Sequence, residues 1–113
     1  LALAAARALD EKKGVNVMVL DVQHLTIIAD YFVIASGRSA NQVRALADEV
    51  DEKLAELGET PRRREGVNEG RWAVLDYGSV LVHVVPEQER EYYNLARLWH
   101  DGSNRVALEQ SED

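Results

Sequence analysis

The chain has 113 residues, of which 46% are hydrophobic and 29% charged, and its formal net charge is −7. That length is one domain's worth and can bury a core without staples. With no cysteine there is no disulfide, Cys-based zinc site or thiol nucleophile, and the acidic balance favours a basic protein partner over a phosphate backbone such as DNA.

Leu1 to Lys13 reads as a short helix ending near Gly14, where a residue without Cβ can take a left-handed cap. The Ala-rich start, Leu1 to Leu9, is interrupted by Arg7 and lacks a basic leader, so it is not read as a signal peptide; without an initiator Met, it reads as trimmed. No apolar run approaches the roughly 20 residues that cross a bilayer, so a cytoplasmic chain is expected, with no membrane partner.

Val15 to Val22 is a β-branched run, apolar on both faces, as in a buried strand. Ala29 to Ser36 is a second, ended by Gly37, and the two are expected to be sheet neighbours. Ser39 and Gln42 have the spacing of a capping box. Val43, Leu46, Ala47, Val50, Leu54 and Leu57 follow as one apolar stripe of a helix, which Gly58 closes and Pro61 stops.

Arg62 to Glu69 is polar and reads as extended or looped. A hairpin follows: Arg71 to Tyr77, a turn at Gly78 and Ser79, then Val80 to Val85. Strand alternation puts Trp72, Val74 and Asp76 on one face and Ala73, Leu75 and Tyr77 on the other. Pro86, Glu87 and Glu89 suit the first turn of a helix whose apolar stripe is Tyr92, Leu95, Ala96 and Trp99. The segment after Trp99 is polar and is expected to fray.

The element order predicts an α/β fold, a mixed four- to five-stranded sheet flanked by helices. Short β-to-β connections force some antiparallel pairing. Residues 1–100 are read as one domain and 101–113 as a polar tail.

The search for chemistry finds little. His24, His83 and His100 are far apart and carry no ligand spacing, so no metal or cofactor site is expected. His83 shares a strand face with Leu81 and Val85 and reads as a hydrogen-bonded, half-buried histidine. Gly37-Arg38-Ser39 lacks the second glycine of a nucleophile elbow, and no phosphate-cradling glycine motif occurs.

A turn opening a helix after a strand, with acidic residues on neighbouring strands, is similar to nucleotidyltransferases, which hold two metal ions about 4 Å apart on paired strand carboxylates. Asp21 and Asp76 stand alone on their strands and no D-x-D pair lies on a strand, so no catalytic residue is assigned. A metal-dependent enzyme remains the alternative reading. Arg62-Arg63-Arg64 is flanked by Glu59, Glu65 and Glu69 and reads as a protected strand edge, with at most a minor contact to RNA phosphates. Most of the aromatic residues carry a polar handle, as at interfaces. Trp72 stands out because it heads a strand after the Asn68-Glu69-Gly70 segment, which reads as flexible. That aromatic set fits a seam between two copies of the chain as well as a face for another protein.

Ala29-Asp30-Tyr31-Phe32-Val33-Ile34-Ala35-Ser36-Gly37, with Ser39 and Val43, resembles the signature of the ribosomal silencing factor (Iojap-like) family. Arg64-Glu65-Gly66, Trp72 to Gly78, Val82-His83-Val84, Arg90, Tyr93, Leu95 and Leu98-Trp99 resemble the second half of that family's pattern. Ser79 departs from it, standing where the family often has Asp. The resemblance implies a nucleotidyltransferase-like topology without the catalytic carboxylates, and no enzymatic activity. It also implies binding to large-subunit ribosomal protein fourteen, a steric block to subunit joining, and a homodimer when free. Carried over by motif, Trp72, Leu75, Asp76 and Tyr77 are the expected ribosomal contacts, with His83 and Tyr93 in support.

Overall fold

The computed structural model describes residues 1–89 and 104–106. Helix α1 (Ala2–Glu11) leads into strand β1 (Val15–Asp21), β2 (Tyr31–Gly37) and the long helix α2 (Ala40–Glu56). Three strands follow, β3 (Arg63–Glu65), β4 (Ala73–Asp76) and β5 (Val80–Pro86), then a 3-10 turn (Glu87–Glu89) and β6 (Arg105–Val106). They form one six-stranded sheet in the order β3-β4-β5-β2-β1-β6. The central pair β2·β5 is parallel, its connection running through α2, β3 and β4, and every other pair is antiparallel. The fold is therefore the expected mixed α/β sheet with one strand more than anticipated.

The extra strand lies in the segment expected to fray. Arg105 and Val106 pair with Leu20 and Val19, and Asn104, only 7% exposed, donates its side-chain amide to the Asp21 carbonyl at 2.9 Å. The Asp21 amide in turn donates to the Asn104 carbonyl at 2.8 Å. Two residues flanked by polar sequence carry no strand periodicity, so this pairing is set by tertiary contact.

Both helices end in the Schellman arrangement. In α1 the Gly14 amide donates to Leu9 and the Lys13 amide to Asp10, and the left-handed residue is Lys13 (φ 64), not Gly14 as expected. Gly14 is used instead for closeness, since a Cβ there would lie 3.0 Å from the Leu9 carbonyl oxygen. In α2, Gly58 takes the left-handed cap (φ 85), with its amide on Ala55 and that of Glu59 on Leu54.

The capping box at the start of α2 forms with one change. Ser39 Oγ accepts from the Gln42 amide at 3.1 Å, but the Gln42 side chain reaches back to the amide of Arg38 (2.6 Å), not to that of Ser39. Its Nε2 also donates to the Lys13 carbonyl at 3.2 Å, tying the end of α1 to the start of α2.

Helices α1 and α2 cover one face of the sheet. Leu9, Val43, Leu46, Ala47, Val50 and Leu54 pack there on Val19, Val33, Leu75, Val82 and Val84. Leu57, expected in this stripe, is 62% exposed, because it falls on the C-cap where the helix has already ended. The opposite face is built from Met18, Leu20, Val22, Ala29, Phe32 and Ile34, with Leu81 packed against them. Pro86 closes β5 and runs directly into the 3-10 turn Glu87–Glu89, where the expected helix was to begin. The stripe Tyr92, Leu95, Ala96 and Trp99 lies outside the described residues.

Candidate partner-binding face

Strand β4 is short, and its entry is governed by a tight loop. Gly66 (φ 73) and Gly70 (φ 66) both hold left-handed backbone. A Cβ on Gly66 would lie 2.0 Å from the Trp72 carbonyl oxygen, and one on Gly70 would lie 2.6 Å from the Ala40 carbonyl oxygen. The Gly70 amide donates to the carbonyls of Gly66 and Val67, and the Arg44 guanidinium donates to the Asn68 carbonyl at 3.1 Å. The loop 66–70, of which Asn68-Glu69-Gly70 reads as flexible from its composition, is thus clamped between the start of α2 and the start of β4.

That clamp delivers Trp72 to the sheet face opposite α1 and α2. Its Nε1–H donates to His83 Nδ1 at 3.1 Å, and the two rings sit 6.2 Å apart at a tilt of 50°. His83 is paired with Val74 across the β4·β5 ladder, so Trp72 approaches it along the diagonal. From the other side the Phe32 ring meets the imidazole edge-on, with centroids 5.1 Å apart.

Trp72 is 36% exposed and His83 only 7%. Burial holds the His83 imidazole down to a pKa of about 4, so it is neutral near pH 7. With Nδ1 accepting from the indole, the remaining proton is assigned to Nε2. That atom is buried without a hydrogen-bond partner among the described residues.

Asp76 lies on the same face at the far end of β4, about 14 Å from Trp72 by strand rise. Its Oδ1 accepts from the Gly78 amide at 2.8 Å, which shapes the hairpin turn. Arg62 and Arg63 flank it at 3.6 and 3.8 Å. Arg64 crosses to α2 instead, reaching Asp48 at 2.9 Å and Asp51 at 3.0 Å.

Leu75 and Tyr77 point the other way. Leu75 is fully buried and Tyr77 is 8% exposed, both in the core beneath the helices. Burial, with the charge of Asp51 behind it, pushes the Tyr77 hydroxyl up to a pKa of about 12, and its oxygen has no hydrogen-bond partner among the described residues. Alternation along the strand turns Leu75 and Tyr77, named as contacts by the resemblance, into the core whenever Trp72 and Asp76 face outward. Of the other expected contacts, Trp72 and His83 are brought together, Asp76 shares their face, and Tyr93 lies outside the described residues. Phe32 and the two glycines were not anticipated as parts of this site. Register could have found Phe32, since it lies two residues before Ile34, the β2 partner of His83, and so on the same face.

The two carboxylates weighed for metal chemistry do not converge. Asp21 is on β1 and Asp76 on β4, with β2 and β5 between them. Three strand spacings amount to about 14 Å, far beyond a two-metal pair. Each is also used locally, Asp21 accepting from the Gln23 amide at 3.1 Å and Asp76 from Gly78.

A family model described as "Ribosomal silencing factor during starvation" matches residues 1–113. The chain belongs to that family. It is 42% identical over 97 residues to the ribosomal silencing factor of Bacillus subtilis, covering 86% of this chain and 82% of that protein. A crystal structure from Chromobacterium violaceum superposes with a TM-score of 0.82 at 36% identity, covering 95% of this chain and 91% of the other. One from Bacillus halodurans gives 0.80 at 38% identity, covering 93% and 94%. Membership makes the chain a ribosome-associated silencing factor, and the Trp72 face is to be read in that light. No helix among the described residues is long and apolar enough to cross a membrane.

Proposed function

We propose that this domain represses translation by seating its Trp72 face on large-subunit ribosomal protein fourteen, where its bulk obstructs joining of the small subunit. The observation that carries this reading is Trp72 itself, a large aromatic left 36% exposed at the entry to β4 and fixed by a buried histidine. Interface energy concentrates in such anchors, and tryptophan is prominent among them. Asp76 with Arg62 and Arg63 supplies a polar rim at the other end of the strand, and Tyr93 joins the contact. Leu75 and Tyr77 support it from behind by packing β4 on the helices.

The net charge of −7 suits a basic ribosomal protein. Arg62, Arg63 and Arg64 each have a carboxylate within 4 Å, so ribosomal RNA contributes at most a minor contact. An obstructing factor needs affinity and volume but no bond-making, so the domain acts in the cytoplasm without catalysis, and a standard interface of about 800 Å² per partner suffices. When free it pairs with a second copy, which sedimentation velocity would detect.

The decisive experiment is sucrose-gradient sedimentation of small and large subunits with the purified protein. Loss of the joined particle, with the protein migrating on the large subunit alone, is the expected result. Normal joining at saturating protein would end the proposal.

A further inference from the structure

We infer that His83 is a positioning residue for Trp72, acting on the partner through the indole and making no contact of its own. This rests on reading Trp72 as the partner contact. Three observations carry it. His83 is 7% exposed, too deep for a docking surface to reach without displacing Trp72. Its Nδ1 accepts the only polar hydrogen of the indole, at 3.1 Å, and Phe32 fixes the imidazole edge-on from behind at 5.1 Å. Its second nitrogen is left buried without a hydrogen-bond partner among the described residues.

A buried donor with no acceptor destabilises a fold, whereas an apolar residue of similar size would not. The histidine is therefore poorly explained by packing alone. Its geometry has one evident consequence: the partly exposed indole is held by its N–H in a single orientation. Immobilising a side chain before association removes part of the ordering cost of binding.

The two roles predict opposite effects for His83→Leu. A purely structural histidine would lose stability and binding together. A positioning histidine gives a variant at least as stable as the parent in urea that binds the large subunit about fivefold more weakly, the worth of one ordinary hydrogen bond. In the 113-residue chain, hydrogen exchange of the Trp72 indole N–H, assigned among the two indole signals by its loss in Trp72→Phe, should speed up in His83→Leu. His83→Asn, whose side-chain oxygen occupies the place of Nδ1, should restore both slow exchange and affinity.

Combining His83→Leu with Trp72→Phe should cost no more affinity than Trp72→Phe alone. The inference is overturned if His83→Leu weakens binding equally in both backgrounds, or if indole exchange is indifferent to residue 83. If Trp72→Phe and Trp72→Ala both bind undiminished while indole exchange still responds to His83→Leu, the reading of Trp72 as the contact has failed, and the positioning role falls with it.

Discussion

Gly66 passes so close to Trp72 that a single added carbon would meet the tryptophan's carbonyl oxygen at 2.0 Å. The left-handed backbone of Gly66 (φ 73) adds a second reason that no other residue fits there. The presentation of the exposed indole is thus decided by main-chain packing several residues upstream.

Gly66→Ala should consequently destabilise the fold by about 2 kcal/mol or more, as clash and backbone strain combine. Chemical denaturation gives the stability, and the near-ultraviolet circular dichroism of tryptophan reports whether the indole has moved. A variant as stable as the parent with an unchanged tryptophan signal would show that the loop has room the geometry denies.

Trp72→Ala should leave the fold intact and reduce affinity for the isolated ribosomal protein by about 2 kcal/mol or more, roughly thirtyfold. Titration calorimetry on the folded variant is the check. Undiminished binding would place the contact face elsewhere.

Leu75→Ala should have the opposite profile. The side chain is fully buried among the helix-covered residues, so its truncation should cost about 2–5 kcal/mol in stability. Affinity measured on the fraction that remains folded should be close to that of the parent. A selective loss of affinity with little change in the urea midpoint would return Leu75 to the interface.

The Tyr77 hydroxyl is buried without a hydrogen-bond partner among the described residues. Tyr77→Phe removes an unsatisfied polar group while keeping the ring, and should be neutral or stabilising by about 1 kcal/mol. A marked drop in melting temperature would mean that the hydroxyl is engaged after all.

Stability should also depend on pH through His83, whose pKa burial lowers from 6.5 to about 4. Between those values the unfolded chain takes up a proton that the folded chain refuses. This contribution is therefore at full strength above pH 6.5 and is lost as the pH falls towards 4, by about 3 kcal/mol. Urea midpoints for the parent and His83→Leu at pH 7, 5.5 and 4.5 isolate it, because the leucine variant lacks this component of the slope. Parallel profiles for the two proteins would refute the assignment.

Much of this architecture can be read from local pattern. The apolar stripe from Val43 to Leu54 and the Ser39–Gln42 pair mark α2, and the alternation from Trp72 to Tyr77 orients β4 correctly. Local pattern does not reveal partners distant along the chain. Whether His83 meets Trp72 or Phe32 depends on register in two ladders, one of them parallel and spanning a helix. Leu75 and Tyr77, named by motif resemblance, lie on the inward side that the alternation of the same strand gives them, and the structure buries both. Asp76 was readable as an outward residue, but its two arginine neighbours were not, because β3 is too short and polar to announce itself as a strand.

The mutual clasp of Asn104 and Asp21 bears on how the protein can be handled. A version cut back to residue 100 would lack the last ribbon of the sheet and leave the backbone amides and carbonyls around Val19 and Leu20 without their covalently supplied mate. Such a shortened molecule would offer an adhesive margin to its own kind, and oligomers seen with it would report the cut and not the native association.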